Sequence, residues 1–247
     1  MTPEEVEAIE RATIAAVSPR AVREIGGWIV ALDAGTIRRA ASAAPLRHDL
    51  IADPAVLDAI EAAFASEGLR PAVRLCDAPA LESVRAELLR RGYRSEQPTL
   101  VKTAAVADMR AVSRAAPADM LHRPDEAWAS VFTGEGFDPI DGAHRVAALS
   151  RSADAAYGAV REGGTTLAVG VAAFGHGWAS VHGMRTSKAR RGEGLAGRVL
   201  AGLAEACAAR DVAKVFLQVE EANAPARALY RRAGFRPVWR YFYWSKG

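Results

Sequence analysis

Hydrophobic and polar positions change period several times along the chain, and each change marks an element. Residues 2–17 join Thr2 and Pro3 to early acidic positions and an apolar run, which predicts a capped helix with negative charge at its positive end. Val56, Ile60 and Phe64 recur at helical spacing within 53–67, and further helical patterns cover 80–91, 124–132 and 142–150. Period-two segments lie between them. Gly26 to Val30 and Thr36 to Arg38 read as two strands of a hairpin turning at 33–35, and 72–76 and 99–103 read as further strands. Segments 156–161, 167–174 and 179–185 are separated by Gly163, Gly164, Gly175 and Gly177, the pattern of an antiparallel meander. Then come a helix carrying Leu195, Val199, Leu200, Leu203 and Cys207, a strand over 215–219, a helix stopped by Gly234, and an aromatic tail at 238–244 read as a closing strand pair.

The order predicts an α/β (α+β) fold in which helices flank a mixed, mainly antiparallel sheet. An internal echo adds organisation: LLRRGYR at 88–94 and LYRRAGFR at 229–236 each close a helix before a strand, which suggests two halves of similar design. The expected division is 1–104 and 105–247, with a linker within 104–115.

Between the third meander strand and the next helix lies 190–197, Arg-Arg-Gly-Glu-Gly-Leu-Ala-Gly. At a helix N-terminus the first amides lack partners and the dipole is positive, so an anionic oxygen is stabilised there without any side chain. Gly192, Gly194 and Gly197 would let a phosphate approach the backbone; the competing reading is a tight turn. No Lys-Ser or Lys-Thr closes a Walker pattern, and the glycines do not have dinucleotide-fold spacing.

The hexapeptide from Arg191 to Ala196, Arg-x-x-Gly-x-Ala, resembles the acetyl-CoA signature of the GCN5-related N-acetyltransferases (GNAT). A second resemblance follows it: Asn223, Ala226, Tyr230 and then Gly234-Phe235 match that superfamily's other signature. The first half has neither motif, and its element order and Gly-Gly-Trp run resemble the degenerate N-terminal halves of tandem-GNAT bacterial proteins. The resemblance implies acetyl-CoA as co-substrate. The amides of Gly192, Glu193, Gly194, Leu195, Ala196 and Gly197 would hold its pyrophosphate beside Arg191. The strand edge at Met184, Arg185 and Thr186, with Asn223 and Ala226, would hold its pantetheine, and Tyr230 would stand beside its sulfur as general acid. Alternatives remain at three positions: Met184 as a core residue, Asn223 as only a helix cap, and Tyr230 as a packing aromatic. For the base, His182 is the residue that could titrate near neutral pH, with a structural histidine as the other reading. Asp125, Glu126, Glu135 and Asp138 are acceptor-site candidates or solvent-facing acids, and Glu220 and Glu221 are read as facing solvent.

Composition narrows this only a little. The chain of 247 residues carries a formal charge of +3 with its cations scattered, which argues against a nucleic-acid surface. Two cysteines, Cys76 and Cys207, sit in apolar patterns, and no run is apolar enough to cross a bilayer, so a reduced, cytoplasmic setting is expected. The five histidines lack metal-ligand spacing, so no metal is expected. The reading is an acetyl-CoA-dependent N-acetyltransferase acting on a primary amine by direct transfer in a ternary complex, as a monomer or homodimer with no nucleic-acid or membrane partner. The alternative is an acyl-CoA-binding or interaction module without turnover.

Overall fold

The computed structural model describes residues 1–246. Helix α1 (Pro3–Val17) leads to strands β1 (Ala21–Ile25), β2 (Trp28–Leu32) and β3 (Ala43–Pro45), then α2 (Pro54–Ser66), β4 (Ala72–Cys76), α3 (Glu82–Arg90) and β5 (Tyr93–Ala105). Next come α4 (Val106–Arg110), β6 (Asp119–Leu121), α5 (Glu126–Thr133) and α6 (Pro139–Leu149). The chain closes with β7 (Ala155–Glu162), β8 (Thr165–Gly175), β9 (Trp178–Thr186), α7 (Leu195–Ala208), β10 (Lys214–Glu220), α8 (Ala224–Arg232) and β11 (Arg236–Lys246).

The first hairpin lies earlier than the sequence pattern suggests. Its turn is Gly26-Gly27, with φ of +53° and +82°, which suits a two-residue turn between twisted strands. Thr36 to Arg38 is not a strand; Arg38–Ala41 is a 3-10 turn. The Asp33 carboxylate accepts from the Gly35 amide at 2.7 Å, a local bond that competes with sheet pairing. The aromatic tail is one strand rather than a pair, α4 occupies part of the expected linker, and the three-residue β6 is too short to show a period.

All eleven strands form one sheet, ordered β1-β2-β3-β4-β11-β5-β10-β9-β8-β7-β6. The arrangement at its centre explains the sequence echo. In each half a parallel pair, β3 with β4 or β9 with β10, is joined through a helix, and a second helix then leads to a last long strand. Those last strands are exchanged: β11 lies between β4 and β5, while β5 lies between β10 and β11. The boundary expected between residues 104 and 105 falls at the end of β5, and the sheet runs unbroken across it.

Alternation along the strands feeds a core on each face. Ala168, Ala172, Val181, Val215 and Leu217 pack under Val199, Leu200 and Leu203 of α7. On the other face Val169 and Val171 meet Trp128, Phe132 and Leu149 from α5 and α6, and Phe216 meets Ile9 and Ala12 of α1. The N-terminal helix therefore covers the second half's sheet. Helices α2 and α3 cover the first half through Leu57, Ile60, Phe64, Val84 and Leu88. Each such fully buried large side chain contributes about 2 kcal/mol. Both cysteines are buried and free. Among the described residues no helix is long and apolar enough to cross a membrane.

Candidate functional site

The parallel pairing of β9 with β10 covers only Ala179 to Val181 against Val215 to Leu217. Beyond it the strands part, because each is held by its other neighbour: β9 by β8 up to Thr186, and β10 by β5 up to Glu220. A register shift opposite Gly170 adds a bulge in β9, where Gly183 has φ of +60° and a Cβ would meet Leu149 at 3.0 Å. Glycine meets both demands. The strand edge from Gly183 to Thr186 is thereby left without a partner on the β10 side.

The loop into α7 is open. Gly192 and Gly194 have φ of +86° and +77°, and a Cβ at either would meet nothing within 4 Å. Gly194 is the N-cap without a side-chain hydrogen bond, and the amides of residues 192–196 have no backbone partner among the described residues. The one acid of the loop, Glu193, is turned aside by Arg190 at 2.7 Å, which also pairs with Glu162 at 2.9 Å. Cations gather nearby around Phe137: the charged groups of Arg185, Lys188 and Arg191 lie 4.2, 5.6 and 5.8 Å from its ring centre. Unpartnered amides at a positive helix end, room for a bulky oxyanion and a flanking cationic cluster fit a diphosphate. Leu195 and Gly197 are buried, and Ala196 is half-buried.

At the parting of the strands lies a cavity of about 380 Å³. Of the residues expected to hold the carrier or protonate its sulfur it is lined by Met184, Arg185, Asn223, Ala226 and Tyr230; Thr186 and the loop residues lie outside its lining. The Met184 side chain packs on the α7 core while its backbone stands on the free edge. Asn223 caps α8, its Oδ1 accepting from the Ala226 amide at 3.2 Å. Tyr230 is buried edge-on to Phe235, and burial pushes its phenol up to about 12, partly offset by the Arg39 charge. Its proton stays on at neutral pH.

His182 also lines the cavity, but burial first and then the Arg39 charge push its pKa down to about 4, against the raising effect of the Ser180 and Ala16 carbonyls. One ring nitrogen faces the Ser180 carbonyl at 3.0 Å. A neutral imidazole this weakly basic is no proton acceptor for an ammonium. Asp125 and Asp138 cap α5 and α6, and neither they nor Glu126 and Glu135 line the cavity. Glu220 does, and its carboxylate accepts from Gln97 Nε2 at 2.7 Å.

Most of the cavity wall was not visible in the sequence. Thr36, Arg38 and Arg39 come from the turn after β2, Gln97 and Thr99 from β5, and Tyr241 and Tyr243 from β11. Gln97 reaches it through a bulge, with φ of +53°, where β5 slips against β11. Tyr241 donates to Gln218 at 2.8 Å, and Gln218 donates to Thr13 of α1 at 2.9 Å, which ties the wall to the N-terminal helix. These residues converge only through the strand exchange, so no local pattern marks them.

Solved structures share this architecture. A GCN5-related N-acetyltransferase from Kribbella flavida superposes with a TM-score of 0.72 at 18% identity, over 98% of this chain and 95% of that one. A tandem GNAT protein from the clavulanic acid biosynthesis pathway superposes at 0.61, with 13% identity over 97% and 94%. For a GNAT-family acetyltransferase described as putative, from Novosphingobium aromaticivorans, the figures are 0.57, 18%, 97% and 99%. At these identities the likeness is one of fold, and it includes the two-half arrangement. No curated protein matches the sequence. Residues 3–244 match the family described as "Probable histone acetyltransferase Rv0428c C-terminal", and with nearly its whole length in that match the chain belongs to this family of GNAT-like proteins.

Proposed function

We propose that the protein transfers an acetyl group from acetyl-CoA to a primary amine within a ternary complex. The observation that carries this reading is the succession along the chain of a free strand edge at Gly183 to Thr186 and an open amide cradle at α7, beside a cavity lined by Met184, Arg185 and the buried, protonated Tyr230. When bound, acetyl-CoA supplies a thioester carbonyl open to an amine and a thiolate that needs a proton. The amides of residues 192–196, with Arg191 and its neighbours, would hold the diphosphate; the Gly197 amide, expected to join them, already donates to the Gly194 carbonyl at 2.9 Å. The edge at Met184 to Thr186 would hold the carrier's amides as an added strand is held, leaving the Met184 amide free to polarise a carbonyl. Asn223 and Ala226 form the facing wall. Tyr230 keeps a proton on Oη for the departing sulfur. Glu220 is the one carboxylate lining the cavity among the described residues, and in this reading its charge holds the incoming ammonium.

Direct transfer is favoured over a covalent route because neither thiol suits a nucleophile. Cys207 and Cys76 do not line the cavity, and burial pushes them up to about 12 and about 11. The test is calorimetric titration with acetyl-CoA, followed by measuring free-thiol release across a panel of amines. Tyr230→Phe should lower turnover about 100-fold while leaving acetyl-CoA affinity within about twofold. An unchanged rate removes Tyr230 as the acid, and no binding of the carrier removes the reading.

A further inference from the structure

The cavity wall carries four arginines, Arg38, Arg39, Arg145 and Arg185, against the single carboxylate of Glu220. Two of the four are occupied by acids. Arg38 bonds Glu96 and Gln97, each at 2.7 Å, and stacks on Tyr243; Arg145 pairs with Asp141 at 2.6 Å. Arg185 donates to the Phe132 carbonyl and stacks on Phe132 and Phe137. Arg39 is different: among the described residues it makes no hydrogen bond, ion pair or aromatic contact. Its charge nevertheless bears on His182, Tyr230 and Tyr241, which lie on β9, α8 and β11 and surround the cavity on separate sides.

The Arg39 guanidinium is half-buried and without a protein partner among the described residues, so its donors are free for a ligand entering the cavity. Its backbone is held rather than free to swing. Ile37 and Ala40, on either side, are buried against Val17 and Ala148. The turn before them is fixed by Asp33, which accepts from the Arg20 and Gly35 amides and pairs with Arg151 at 3.0 Å. A rigid mount carrying a five-donor fork without a protein partner is the form of a preorganised oxyanion site. The same cavity presents Glu220 to a cation, so its walls match a molecule bearing both signs.

Building on the acetyl-transfer reading above, we propose that the acceptor is a small amine that also carries a carboxylate, an amino acid or a close analogue, and that Arg39 of the first half binds that carboxylate. The first half thus supplies the specificity of a reaction whose carrier is held by the second. A lysine-rich peptide tail brings further positive charge to a wall already cationic and is disfavoured.

The test compares matched amines that differ only in the carboxylate, L-lysine with cadaverine and L-ornithine with putrescine, on the full chain. Binding is measured by calorimetry without acetyl-CoA, and thiol release is measured with it. For the wild type the amino acid of at least one pair should bind about 30-fold more tightly than its decarboxylated partner. Arg39→Met, which keeps the aliphatic stem, should shrink that ratio to within about threefold and leave acetyl-CoA affinity unchanged, while Arg39→Lys restores part of it. Equal binding of both members in the wild type overturns the proposal. So does better turnover of a lysine-rich peptide, or a loss of acetyl-CoA affinity in Arg39→Met equal to the loss of amine affinity. Failure of wild-type protein to bind acetyl-CoA defeats the transferase reading instead, and the carrier-free titrations still decide the role of Arg39.

Discussion

Helices α2 and α7 occupy equivalent places in the two halves, each crossing between the strands of a parallel pair, yet their N-termini are opposites. At α2 the N-cap is Asp53, whose carboxylate accepts from the Ala55 amide at 2.9 Å, and Pro54 removes the next donor altogether. At α7 the N-cap is Gly194, with no side chain to bond and no neighbour over it. One mouth holds its own anion; the other is free to receive one from outside. The same topology can therefore be closed or open to a phosphate by the choice of two residues, and under the proposed function the open mouth of the second half would be the one to receive the carrier.

The severest way to break this comparison is to separate the halves. Residues 105–247 expressed alone would lack β5 between β10 and β11 and lack α1 over β8 and β9. The fragment should show no cooperative thermal unfolding and should aggregate through its bare strand edges. Cooperative unfolding of a monomeric fragment would mean that the exchanged strand is dispensable.

Placing a carboxylate in the open mouth should come next. Gly194→Asp makes α7 resemble α2 and faces a diphosphate with an unpaired negative charge, so acetyl-CoA affinity by calorimetry should drop on the order of 1,000-fold. Retained affinity would show that the loop does not hold the carrier.

A third measurement separates the halves by pH. His182 has a folded pKa of about 4 against an ordinary 6.5, so the folded state binds fewer protons than the unfolded one between those values. Its contribution is fully present above pH 6.5 and is lost as pH falls toward 4, with a full size on the order of 3 kcal/mol. Denaturant unfolding at pH 7 and pH 4.5 should show this loss in the wild type and a flatter profile in His182→Gln. An identical pH dependence in both would place the acid sensitivity elsewhere.

The smallest effect belongs to the closed mouth. Asp53→Ala should cost about 1 kcal/mol in stability by losing the cap and should create no second carrier site, since Pro54 still has no amide to offer. Two equivalents of acetyl-CoA per chain in that variant would contradict the explanation of why the first half is closed.

The open mouth was legible because its cause is local: glycines at 192 and 194 and the Asn223, Ala226, Tyr230 spacing lie within short stretches whose period announces a helix start. The echo of LLRRGYR and LYRRAGFR likewise reflects local chemistry, a basic helix end and a turn at Gly92 or Gly234, each with φ above +80°. Arg39 was not legible. Its turn interrupts no period, and its place beside Tyr230 depends on a fold in which residues of opposite ends of the chain share one wall. The hairpin was misplaced for a related reason. Thr36 and Ile37 have strand-like side chains, and only the bond from Gly35 to Asp33 diverts the backbone from pairing. His182 shows the limit of type-based reasoning, since what makes the imidazole too weak a base is its burial and the Arg39 charge across the cavity rather than anything in its own strand.

The exchanged strands also set an order of events during synthesis. Strand β11 leaves the ribosome after both strands it pairs with, and it fills the seam between β4 and β5. The first half, though translated before β11, must wait with that seam unzipped until β11 emerges. Until then the facing edges of β4 and β5 are open to pairing with other chains.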